Sequence, residues 1–240
     1  MFRAKFRTSK KTNHLSLLSY IIYIETSTKV CSVALSLHGA ITTLKEIKDD
    51  KYIHAEKLNL LIDECILDSN ISYKQLSAVA ISSGPGSFTG LRIGVSTAKG
   101  LAYSLGIPLI SVDSLTCIYH VFKSKNIVEN TDIILPMIDA RRQEVYTMGY
   151  SNGKIVFPIS SQIIDLAFFK NFSNKIKLHL VGDGCEKFEN KFNADNIYYY
   201  SSIINSAAGM VETATKKLKK MDFEDVAYFA PKYIKDFHFN

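Results

Sequence analysis

Three short runs rich in Ile, Val, Thr and Leu, residues 20–25, 30–37 and 40–47, follow one another closely. Only Thr26-Ser-Thr-Lys29 and His38-Gly39, both turn-forming, separate them. Such spacing reads as a three-stranded meander. The period then changes. Helical spacing runs over 53–69, residues 78–83 read as a buried strand, 90–105 as a helix and 108–112 as another strand. The resulting order, βββαβαβ, is the arrangement of ribonuclease-H-like and actin-like domains, an α/β fold. In the second half, strands are expected at 132–139, 144–150 and 178–182, and helices at 163–170 and 204–220. Residues 170–202, rich in Asn, Lys and Tyr, read as irregular surface, and no internal repeat stands out. A boundary near Asp113 divides the chain into two tandem subdomains, 20–113 and 114–240, the second with a C-terminal tail. With 47% hydrophobic residues in 240, a conventional core needs no staples.

Between the strand at 78–83 and the next helix lies Gly84-Pro-Gly-Ser-Phe-Thr-Gly90. Glycines there permit close backbone approach, and the helix start offers free N–H groups to an anion. The loop is not a P-loop, because Leu91-Arg92 stands where a lysine and a hydroxyl residue would be required. Nor is it a nucleophile elbow, since Pro85 and Thr89 flank Ser87 where glycines are needed.

The helix over 90–105 is dressed on both sides. Leu91, Val95, Ala98, Ala102 and Leu105 gather in one stripe, while Ile93, Ser96, Thr97, Gly100 and Ser104 gather opposite, without a charge. Small residues at spacings of three and four let another helix approach closely. In the helix over 53–69, Ala55, Leu58, Leu61, Ile62 and Cys65 form the main stripe. Leu60 and Leu67 stand seven apart on the acidic face. A partner interface over Leu60, Leu67, Ile93, Ser96, Thr97, Gly100 and Ser104 is therefore expected.

The formal charge of +6 is placed unevenly. Arg3, Lys5, Arg7, Lys10 and Lys11 crowd residues 1–19, a basic leader expected to be disordered, and the remainder is close to neutral. A neutral body attracts phosphate weakly, so direct nucleic-acid binding by this chain alone is not expected. No run of about 18 apolar residues suggests a membrane span. Cys31, Cys65, Cys117 and Cys185 lack the short spacings of zinc or redox motifs and read as reduced core residues, with a cytoplasmic location as the default. Asp139, Arg141, Arg142 and Glu144 read as a solvated ion-pair cluster at a hairpin.

The string Ser83-Gly-Pro-Gly-Ser-Phe-Thr-Gly-Leu-Arg-Ile-Gly-Val-Ser-Thr-Ala-Lys-Gly-Leu-Ala102 resembles the signature of the bacterial TsaB (YeaZ) family. His54-Ala-Glu-Lys-Leu58, Gly106-Ile-Pro108, Asp139-Ala-Arg-Arg-Gln-Glu-Val-Tyr146, Gly182-Asp-Gly184 and Ala230-Pro-Lys-Tyr233 resemble it too, in the family's order. The resemblance implies two actin-like subdomains and a non-catalytic role beside TsaD, which transfers the threonylcarbamoyl group to an adenosine of tRNA, and a small ATPase, TsaE. It also implies pairing with TsaD through the first subdomain's helices, a homodimer in isolation, and tRNA contact only within the complex. His54 lacks the i+4 histidine with which catalytic relatives hold a metal, so no metal is expected and a metallopeptidase is disfavoured. Related kinases carry an aspartate and a glycine in the first hairpin. Here Glu25-Thr-Ser-Thr28 stands there, which disfavours the alternative of an ATP-dependent small-molecule kinase. No tightly bound cofactor is expected. Thr26, Ser27, Thr28, Gly84 and Gly86 remain candidates to contact an ATP or ADP at a subunit interface.

Overall fold

The computed structural model describes residues 19–49 and 53–235. The basic leader lies outside these, apart from Ser19. The meander forms as read: β1 (Tyr20–Glu25), β2 (Val30–Leu37) and β3 (Ala40–Lys48) pair antiparallel. Then α1 (His54–Asp68) and α2 (Phe88–Leu105) supply the crossovers that allow β4 (Leu76–Ser82) and β5 (Leu109–Val112) to join in parallel. The sheet order is β3-β2-β1-β4-β5.

The second sheet repeats this plan. Its strands are β6 (Ile133–Asp139), β7 (Glu144–Ser151), β8 (Lys154–Ile163), β9 (Leu178–Val181) and β10 (Ile197–Tyr200). Their order is β10-β9-β6-β7-β8, with β6, β7 and β8 antiparallel and β9 and β10 parallel. The fold is α/β, built from two actin-like sheets.

Each sheet is covered on both faces. Leu58, Leu61, Ile62 and Cys65 of α1 and Val95, Ala98 and Ala102 of α2 pack with Ile22, Val33, Val79 and Ile81 on one face of the first sheet. On its other face Ala34, Ala78 and Ala80 leave room for Cys117, Ala207, Met210 and Ala214. Cys117 belongs to α3 (Ser114–Lys125), whose Leu115, Ile118, Tyr119 and Phe122 face the second sheet. One helix thus serves both cores. Its buried positions, Ser114, Leu115, Cys117, Ile118, Tyr119, Val121 and Phe122, run round most of the helix, so it shows no clear period in the sequence.

The second half differs from expectation: α3 and β8 fall where no element was expected, and three other stretches depart from their reading. Ile163 ends β8 instead of starting a helix, and the helix expected over 163–170 shrinks to the single turn α4 (Leu166–Phe169). Asp165 sets that start, its carboxylate accepting from Phe168 N at 2.8 Å. The helix expected over 204–220 opens as a 3-10 turn, Ala207–Met210, and becomes α5 only at Val211–Lys220. A Cβ at Gly209 would overlap the Cys117 carbonyl, so the tight turn lets the backbone lie directly on α3. Finally β10 lies inside the stretch read as irregular, its four residues too short for a period to register.

After α5 the chain returns to the first sheet. Glu224 N donates to Leu109 O at 2.9 Å along the β5 edge, and Lys232 N donates to Ser83 O at 2.7 Å. A division at 113 therefore separates the strands of the two sheets but not the segments that cover them.

Candidate functional site

Parallel strands of an open α/β sheet direct their carboxyl ends toward the usual ligand crevice. There the Thr26–Thr28 turn meets the glycine-rich loop. Ser87 N donates to Ser27 O at 2.6 Å, and the Ser87 hydroxyl accepts from Gly90 N at 3.2 Å, capping α2. A Cβ at Gly86 would overlap Ser27 O, one at Gly90 would overlap Thr26 O, and one at Gly94 would overlap Thr26 Oγ1. At Gly84 the obstructing atom is the Lys232 carbonyl. Gly84 and Gly86 also hold φ values of 103° and 155°, in the region that favours glycine. What these glycines admit at close range is the chain's own atoms, backbone at Gly84, Gly86 and Gly90 and the Thr26 side chain at Gly94.

The turn itself is buried: Thr26, Ser27 and Thr28 are all enclosed. Ser27 N donates to Glu25 Oε1 at 2.6 Å, and Asn205 Nδ2 donates to Ser27 Oγ at 2.8 Å. Glu25 is completely buried. Loss of water pushes its carboxyl up to about 7, against the opposing pull of hydrogen bonds from Ser27, Ser82 and Cys117. His54 opens α1 with its Nε2 hydrogen-bonded to Thr28 O at 2.9 Å, a packing role. It takes the inward position at the helix start, with Leu58 four residues on. Ala55, expected in the buried stripe, is exposed instead.

The expected seam lies on the outer side of the same two helices. Leu60 is 51% and Leu67 70% exposed, and Ser96, Gly100 and Ser104 are exposed with them. Nothing lies within 4 Å of a Cβ placed on Gly100. Ile93 and Thr97 are half-buried, Ile93 at the rim of the core beneath the helices. Tyr103, 84% exposed, belongs to the surface of α2 as well and was not among the expected residues; a lone aromatic between two serine-spaced positions gives little signal. The neighbouring α2 side chain Lys99 donates to Ala227 O and Phe229 O, holding the C-terminal segment against the helix.

At the β6–β7 hairpin, Arg141 and Arg142 both hold positive φ, and Arg141 N donates to Asp139 Oδ1 at 2.8 Å. Lys187 Nζ binds Asp139 and the carbonyls of Arg142 and Glu144. These charges stitch the hairpin to the turn after β9. All four cysteines are free and buried, and burial pushes the thiols up, to about 11 for Cys31 and about 12 for Cys65 and Cys185. Among the described residues no group of three or more His, Cys, Asp or Glu is placed to hold a metal ion, and no helix is long and apolar enough to cross a membrane.

A family model described as "TsaD: tRNA N6-adenosine threonylcarbamoyltransferase" matches residues 51–238. The tRNA threonylcarbamoyladenosine biosynthesis protein TsaB of Buchnera aphidicola subsp. Schizaphis graminum is 30% identical over 192 residues, 75% of this chain and 87% of that protein. The chain belongs to the TsaB branch of the TsaD family. The TsaB proteins of Haemophilus influenzae and Escherichia coli are 36% and 35% identical. Those matches take in 52% and 56% of this chain and 51% and 56% of those proteins, so they span only about half the length of these TsaB relatives. The fold agrees with the TsaB assignment: the structure titled "YeaZ from Pseudomonas aeruginosa" superposes with a TM-score of 0.75 at 21% identity, covering 90% of this chain and 99% of that one.

Proposed function

We propose that this chain is the non-catalytic, partner-binding subunit of the machinery that makes N6-threonylcarbamoyladenosine in tRNA, acting in the cytoplasm. In this reading α1 and α2 pair it with the catalytic TsaD, TsaE joins the pair, and the chain forms a homodimer when alone. One observation carries the interface: the helices already bury one stripe against their own sheet, yet their outer side presents Leu60, Leu67, Ser96, Gly100 and Ser104 with no charge on the α2 part of the seam. A helix surface facing only water needs neither exposed leucines seven apart nor an interior glycine. The names of the TsaB relatives support the pathway.

A non-catalytic role is supported by the way the nearest chemical groups are used. His54 is tied to a backbone carbonyl, and the glycines that resemble a phosphate cradle are filled by protein atoms. Reconstitution tests this directly. Given tRNA, ATP and threonylcarbamoyl-AMP, the chain alone should leave tRNA unmodified, and adding TsaD and TsaE should give modification that falls when this chain is withheld. Modification by the chain alone would overturn the reading.

A further inference from the structure

Between the two sheets lies a cleft of about 320 Å³. Its floor is aliphatic: Val30 and Ile118 are buried and Ile204 is half-buried. Beside that floor stands the side chain of Asn205, only 2% exposed. Its Nδ2 is used on Ser27 Oγ, whereas Oδ1 has no hydrogen-bond partner. Polar atoms this deep are seldom left unmet.

The walls carry charge of both signs, Lys29 and Lys48 against Asp139, Asp183 and Glu186. Lys48, at the end of β3, and Glu186, in the turn after β9, both line the cleft, and neither makes an ion pair or side-chain hydrogen bond among the described residues. Elsewhere on this surface lysines find carboxylates closely, as Lys187 does with Asp139 and Lys232 with Asp113. A cation, an anion and a half-satisfied amide around an aliphatic floor are complementary to a small zwitterion with an apolar side chain.

We propose that this cleft binds a free L-α-amino acid. The ammonium group meets Glu186 and Asn205 Oδ1, the carboxylate meets Lys48, and a short aliphatic side chain rests on Val30, Ile118 and Ile204. Turning the Asn205 amide over would leave a donor facing the cleft, which serves the carboxylate of the same ligand. A nucleotide fits less well, because three acids, Asp139, Asp183 and Glu186, outnumber Lys29 and Lys48 in the lining and would repel its phosphates. The inference goes beyond the partner-binding role and does not depend on it.

Titration of the full chain with L-alanine, L-valine and L-threonine, followed by amide chemical shifts, tests the site. N-acetyl-L-valine, L-valinamide and magnesium ATP form parallel arms. The free amino acids should bind saturably, and each singly charged analogue should bind roughly three- to tenfold more weakly, the range expected for losing one exposed charge contact. Glu186→Gln should weaken valine and valinamide while sparing N-acetylvaline, and Lys48→Gln should weaken valine and N-acetylvaline while sparing valinamide. Both side chains are on the surface, so unchanged circular dichroism is expected for both variants. Absence of saturable binding, affinity indifferent to ligand charge or to both substitutions, or binding of ATP alone would each overturn the proposal.

Discussion

Glu25 ends β1 at the turn into β2, where its carboxyl is closed off from water and spends one oxygen on its own turn through Ser27 N. Burial raises its pKa from 4.5 to about 7. The folded chain therefore holds a proton that the unfolded chain releases. The contribution to stability is complete below pH 4.5 and is lost as pH rises through 7, in total by up to about 3 kcal/mol. Glu25→Gln keeps the acceptor and removes the titration. Its melting temperature should gain on that of the parent as pH rises from about 5 to about 8; parallel melting curves across that range would contradict the burial argument. Glycines permit a second comparison. Gly100→Ala meets nothing and should stabilise the isolated chain by about 0.5–1 kcal/mol, the helix-propensity difference. Gly94→Ala drives a methyl group into Thr26 and should cost about 2 kcal/mol or more in urea denaturation. Both glycines are visible in the sequence as members of one helix. Which of them is packed against the Thr26–Thr28 turn is not, because that depends on how the loop and hairpin dock.

At the level of elements, α2 is read well from its sequence on the side facing its sheet, where Leu91, Val95, Ala98 and Ala102 are all buried as the stripe predicts. What the stripe does not reveal is the C-terminal strap. Residues 224–232 hydrogen-bond to the β5 edge at Leu109, to Lys99 and to Ser83, meeting one of the backbone groups that the edge would otherwise leave unpaired. Nothing local in Ala230-Pro-Lys-Tyr233 announces such distant partners. Lys99→Met removes a charged donor from two carbonyls and should lower stability by about 1–2 kcal/mol in urea, with the strap's amides from Ala227 to Phe229 exchanging faster. Unchanged exchange there would show that the strap is held by its other contacts. The strands β8 and β10 are not legible in the sequence for a related reason: both are sheet edges without a fully buried residue, so neither presents the apolar face that marks a strand's alternation.

For the molecule as a whole, two sheets share one topology but not one sequence pattern, since the plan is set by pairing and crossover geometry that many residue choices satisfy. Helix α3 packs on both sheets and the segment from Ala207 onward returns to the first, so residues 20–113 alone lack Cys117, Ala207, Met210 and Ala214 from one face of their core. That fragment should show neither a cooperative melt nor dispersed amide resonances; a folded fragment would mean that the returning segments are dispensable. The same burial leaves the outer side of α1 and α2 as the surface on which the proposed function turns. The most direct measurement is size-exclusion chromatography of this chain mixed with TsaD, using the parent and Gly100→Glu. Co-elution of the parent, and separate elution of a Gly100→Glu chain whose circular dichroism is unchanged, is the expected result. A Gly100→Glu chain that still co-elutes with TsaD would contradict the account.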